Sequence, residues 1–184
     1  MDNIAQLICH PDTPSDAVRE IIVSGDRGPA GFITLRYHLV GDVTRLHIPA
    51  PAKAGRADGL WSTTCFELFT RDEGDEAYRE FNFSPSGQWA AYAFTGYREG
   101  MDEIDVWAPR ISVAIEAEAL TADVTFVSPR LGPQHVGACV VLEEKSGAKS
   151  FWALAHPPGK PDFHHPACFA YELSAADGHM TEHS

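Results

Sequence analysis

The residues best suited to chemistry sit in one proline-rich stretch, His156-Pro157-Pro158-Gly159-Lys160-Pro161-Asp162-Phe163-His164-His165-Pro166. Each proline fixes its own φ and restricts the residue before it, so the stretch reads as a stiff, extended loop. It presents three imidazoles, one ammonium and one carboxylate, with Cys168 two residues beyond. His, Asp and Cys are metal ligands, but the spacing matches no zinc site, and no metal is expected. His156, Lys160, Asp162 and His164 are candidates to bind a ligand. Their simpler role is to hydrogen-bond neighbouring strands.

Two carboxylates come next. Glu67 lies inside the apolar run Cys65-Phe66-Glu67-Leu68-Phe69, and Glu80 opens the following apolar run, which also holds Asn82. A charge within a strand either faces solvent or is buried with a partner, and Arg79 and Arg98 are available. A pair of carboxylates roughly 5 to 9 Å apart would suit glycoside hydrolysis. Among the aromatics, Trp61 follows Asp58-Gly59-Leu60 at a loop-to-strand junction and could serve as a platform for a sugar ring, with Tyr97 and Arg98 in a later loop. Trp89 and Trp152 fall mid-strand and read as core. Met101, in the polar loop Gly96 to Asp105, could pair with His156 or His164 as a haem ligand. No GxSxG, P-loop, HExxH or GxGxxG signature is present.

The elements that must position these groups are strands. Ile33, Leu35, Tyr37 and Leu39 alternate with polar residues, as do Leu46 and Ile48, which predicts strands over 31–40 and 44–48. Glu80–Phe83 and Gln88–Tyr92 flank a Ser-Pro-Ser-Gly turn, predicting a hairpin. A second hairpin is expected from Val136–Glu144 and Ser150–Ala155, with further strands at Ile111–Ile115, Asp123–Val127 and Phe169–Leu173. The best helix candidate is Thr13–Glu20, with Thr13 as cap and Pro14 at the first helical position. So many short strands point to an all-β sandwich or barrel. One domain is expected over residues 1–174, followed by a polar tail over 175–184.

The chain has 184 residues and a formal net charge of −12, from 14 basic and 26 acidic side chains. That balance argues against nucleic acid and against an anionic membrane surface as partners. The four cysteines are far apart and form no CxxC pair, which suits reduced core thiols. The N-terminal residues show no signal-peptide pattern, and no apolar run is long enough to span a bilayer, so the cytoplasm is the expected location.

Three segments resemble a known family. Asp58–Phe69, Glu80–Tyr92 and Phe151–Pro166 look like those of bacterial DOMON-like proteins, which are similar in turn to family 9 carbohydrate-binding modules (CBM9) and to haem-binding DOMON domains. The resemblance covers residues 4 to 174. It implies an antiparallel β-sandwich of immunoglobulin-like or jelly-roll type with a pocket for sugar or haem. Trp61 takes the place of a Trp that forms part of an aromatic clamp in the sugar-binding relatives. Those relatives often carry an acidic residue soon after that Trp, where this chain has Thr63 and Thr64. For haem, Met101 and His156 are the nearest candidates. The leading expectation is a non-catalytic module for a carbohydrate or similar small polar ligand, without a cofactor. The alternatives are a haem or electron-transfer module, a glycoside hydrolase relative using Glu67 and Glu80, and an interaction protein with an exposed strand edge. The oligomeric state stays open.

Overall fold

Alternating apolar side chains need a second surface to bury against, and here two sheets supply it to one another. The computed structural model describes residues 3–176; of the expected polar tail, residues 177–184 lie outside the described residues. In chain order the strands are β1 (Asn3–Gln6), β2 (Ile8–Cys9), β3 (Val18–Arg27), β4 (Phe32–Gly41), β5 (Gly55–Arg56), β6 (Cys65–Asp72) and β7 (Tyr78–Phe83). They continue with β8 (Gln88–Phe94), β9 (Asp102–Glu103), β10 (Arg110–Ile115), β11 (Ala119–Val127), β12 (Gln134–Glu143), β13 (Lys149–Ala153) and β14 (Tyr171–Leu173). Helical structure among the described residues is confined to short 3-10 turns, so none is long and apolar enough to cross a membrane.

One sheet has the order β1-β3-β4-β11-β10 and the other β2-β13-β12-β6-β7-β8-β5, with β14 paired to β12 and β9 to β8. The expected all-β sandwich is what forms. All pairings are antiparallel except β5 against β8, which run parallel. Between the sheets, Ile33, Leu35, Tyr37 and Leu39 of β4 meet Phe66 and Leu68 of β6, Phe81 and Phe83 of β7, and Val136, Ala138, Val140 and Leu142 of β12. Tyr37 is completely buried and donates its hydroxyl hydrogen to the Glu67 carbonyl at 2.8 Å, tying the sheets together. Trp89 and Trp152 are buried in this core, as expected.

Two local expectations fail. The helix over Thr13–Glu20 is absent. Ser15 Oγ instead accepts from the amides of Ala17 and Val18, closing a turn that leads into β3. One helical turn has no cooperative gain to set against the ladder that Val18–Arg27 makes with β4. The strand over 44–48 is also absent. Asp42 Oδ1 accepts from the Thr44 amide and shapes a 3-10 turn at Val43–Arg45, leaving Leu46 buried with a single bridge to Glu144. Gly41 shows why the chain turns so tightly there, since a Cβ on it would lie 2.2 Å from the Ala17 carbonyl oxygen.

Candidate functional site

The second sheet is covered on both faces, and its outer face carries the polar candidates. On β6 the outward residues are Cys65, Glu67 and Phe69. On β7 they are Tyr78, Glu80 and Asn82, and on β8 Ala90, Tyr92 and Phe94 (all follow from period-two geometry and the buried pattern). The register sets Glu67 directly opposite Asn82, and Phe69 opposite Glu80. Two loops cover this layer. From one side comes 57–63, whose Leu60 packs inward. From the other comes 156–169, whose Phe163, Cys168 and Phe169 pack inward. The second loop lies so close that a Cβ on Gly137 of β12 would sit 2.7 Å from the Cys168 carbonyl oxygen.

Beneath the loops, Glu67 is 3% exposed and Asn82 fully buried. Asn82 donates from Nδ2 to Glu80 Oε1 at 2.8 Å. Glu67 Oε1 and Asn82 Oδ1 have no hydrogen-bond partner. Burial, together with the neighbouring Glu80 charge, pushes the Glu67 carboxyl well above the usual carboxylate range. Burial also raises Glu80, while the Asn82 hydrogen bond and Arg98 restrain the rise. His164 Nε2 lies 3.7 Å from Glu80 Oε2. Burial and the Arg98 charge bring His164 down to about 4, so it is neutral near pH 7. Tyr78 accepts from the Arg98 amide at 3.1 Å and meets His164 Nδ1 at 2.7 Å. A polar chain therefore runs from the buried carboxyls through His164 and Tyr78 to Arg98.

Arg98 opens onto a cleft of about 370 Å³ lined by Tyr97, Arg98, Pro157, Pro158, Lys160, Pro161, Asp162 and His165. Asp162 is its anchor. It accepts from Arg98 Nη2 at 2.7 Å, from the His164 amide at 3.1 Å and from the Tyr97 hydroxyl. Burial raises its carboxyl, but the bonds from Tyr97 and Arg98 outweigh this and hold it below the ordinary value. Arg98 has φ of 57°, a left-handed conformation that is uncommon for a residue with a Cβ.

Four of the expected site residues thus meet in one cleft: Tyr97, Arg98, Lys160 and Asp162. Glu67 and Asn82 lie in the sealed layer and His164, with 17% of its side chain exposed, at the edge of that layer; none of the three lines the cleft. Trp61 is 57% exposed on the 3-10 turn Leu60–Ser62 and stands outside the cleft lining. His156 turns away. Its Nε2 bonds the Ile8 carbonyl at 2.8 Å, its ring packs edge-on against His10, and its Nδ1 is buried without a partner. One ring nitrogen is thus bonded to backbone and the other buried, while Met101 is 63% exposed in its loop. Among the described residues, no group of three or more His, Cys, Asp and Glu side chains is placed to hold a metal. Glu67 and Glu80 do come together, but under cover rather than in a cleft.

Solved structures share this architecture. A candidate carbohydrate-binding protein from Bacteroides uniformis superposes with a TM-score of 0.67 at 16% identity, over 94% of this chain and 86% of that one. A CBM9 module from Caldicellulosiruptor kristjanssonii in complex with glucose gives 0.53 at 9% identity, over 93% and 82% of the two chains. In complex with cellotriose it gives 0.52 at 9% identity, over 94% and 89%. At these identities the likeness is one of fold. No family model matches the chain, and no curated protein matches it either.

Sequence reasoning missed Tyr78 and the cleft role of His165, and named Tyr92 only as one of several aromatics that could face a pocket. Tyr78 was legible in principle, because it lies two and four residues before Glu80 and Asn82 and so shares their face. The bond from Tyr92 to Asp58, at 2.7 Å, carried no sequence signal, since the partners are 34 residues apart.

Proposed function

We propose that this chain is a carbohydrate-binding module whose site is the cleft between the loop at 97–98 and the loop at 157–165. One observation carries the reading. The cleft combines the half-exposed ring of Tyr97 with a guanidinium and a carboxylate held rigidly on a proline-stiffened loop. Sugar sites need these parts: an aromatic face for the apolar side of a pyranose, and fixed polar groups that read its hydroxyls. The cleft volume falls within the range of small-molecule sites, about 300–1,000 Å³. The shared fold supports the reading, since two of the similar structures hold glucose and cellotriose.

The test is a panel of mono- and oligosaccharides scored by the rise in Tm that native-state binding produces, followed by titration calorimetry on any hit. Tyr97→Ala should weaken the hit by about tenfold, the value of losing one aromatic contact. Tyr97→Phe should retain most of the affinity, because the ring stays, and Trp107→Ala, far more exposed at 81% and outside the cleft, should change nothing. A panel without a hit, or a hit indifferent to Tyr97→Ala, would overturn the reading.

A further inference from the structure

The hydrogen-bonding inventory of the cleft is lopsided. Among the described residues Asp162 is its only acidic lining residue, and both its oxygens accept hydrogen bonds: Oδ1 from Arg98 and the His164 amide, Oδ2 from Tyr97. The Tyr97 hydroxyl hydrogen is spent on that bond. His165 Nδ1 accepts from the Ala167 amide at 3.1 Å, so its hydrogen sits on Nε2. Lys160 is exposed and has no hydrogen-bond or ion-pair partner among the described residues. The side-chain groups still open to a ligand are chiefly donors: the Lys160 ammonium, His165 Nε2 and the free guanidinium hydrogens of Arg98, against one remaining lone pair on Asp162 Oδ2 and the Tyr97 hydroxyl oxygen. Arg98 pairs with the single carboxylate, so the charge of Lys160 is left without a counter-charge in the cleft, on a protein whose net charge is −12. Pro157, Pro158 and Pro161 stiffen the loop bearing Lys160, and the left-handed backbone of Arg98 fixes the other cation. A neutral sugar, which offers hydroxyls that both donate and accept, would leave this donor set half used. A carboxylate would satisfy it.

Resting on the carbohydrate reading, we infer that the cleft selects an acidic sugar, with the ligand carboxylate held between Lys160 and Arg98. The probe is trigalacturonate against its fully methyl-esterified form, which keeps the rings and removes the charge. Both are titrated into the whole chain by calorimetry at low salt and pH 7. The acid is expected to bind at least about tenfold tighter than the ester, the scale of one charge-assisted hydrogen bond, and to weaken as salt is added. Lys160→Gln should remove most of that preference, and Lys160→Arg should keep it. Equal affinity for acid and ester would overturn the acidic-sugar assignment while leaving the carbohydrate reading in place. Citrate binding as tightly as trigalacturonate, with the same loss on Lys160→Gln, would uphold the anion-selective cleft and overturn the carbohydrate reading. Failure of both the acid and citrate to bind would overturn the inference.

Discussion

Replacing Glu67 with glutamine is expected to make the protein relatively more stable as pH rises. Glu67 sits opposite Asn82 on the neighbouring strand, and each carries a buried oxygen without a partner. An ionised Glu67 would add a buried charge beside Glu80 and supply no donor. One proton on Glu67 removes the charge and provides the hydrogen that this pair of acceptors lacks. Burial first, and the Glu80 charge second, accordingly raise its folded pKa well above the unfolded value. A carboxyl raised in this way takes up a proton on folding, so the folded state binds more protons than the unfolded one. Stability is then greatest below the ordinary carboxylate value and falls as pH rises from there toward the folded value. Glutamine is neutral at every pH and carries its own donor, so the variant should lose this slope. Thermal melts of the two proteins from about pH 5 to pH 9 check the point. The Tm of the parent should fall relative to that of Glu67→Gln as pH rises, and parallel curves would refute it. Glu80→Gln should flatten the slope less, because the Asn82 hydrogen bond and Arg98 already favour the charged form of Glu80.

Phe81→Ala should be the most destabilising single truncation in the strands beneath the site. Phe81 is fully buried on the inner face of β7 and packs on Phe126 of the facing sheet at 4.8 Å between ring centroids. Removing such a ring from a closed core costs about 3–5 kcal/mol, because the lost transfer energy is joined by a cavity that neighbours cannot fill. In a chain of this size each kcal/mol moves Tm by about 2–4 °C, giving a fall of roughly 6–20 °C. A calorimetric scan showing less than half the lower figure would mean that the two sheets can close over the gap. The two predictions separate the two faces of the paired strands β6 and β7. Phe81 carries stability at all pH values, whereas its neighbours Glu80 and Asn82 face a polar layer whose contribution depends on protonation.

The strands were legible because their cause is local. A residue at every second position that avoids water is a property of the linear sequence, and Ile33 to Leu39 show it plainly, while Glu80 to Tyr92 declared a hairpin through the turn at Ser84–Gly87. The run Cys65 to Phe69 also read as a strand, being β-prone on both faces. The same run shows where local reading ends. Glu67 in the middle of it is as compatible with solvent as with burial until 156–169 is laid across the outer face. The helix expected at Thr13 failed for the same reason. A cap and a proline favour one turn, but β4 offers Val18–Arg27 a whole ladder. Composition and patterning by themselves determined an acidic, all-β chain with its polar chemistry in loops. Tertiary structure alone decided that Tyr97 and Arg98 meet Lys160 and Asp162 across more than 60 residues, that His156 is spent on the Ile8 carbonyl, and that Glu67 is sealed while Trp61 is not. Those outcomes depend on which loop crosses which sheet face. The packing of distant strands sets that crossing, and no pattern within any one segment encodes it.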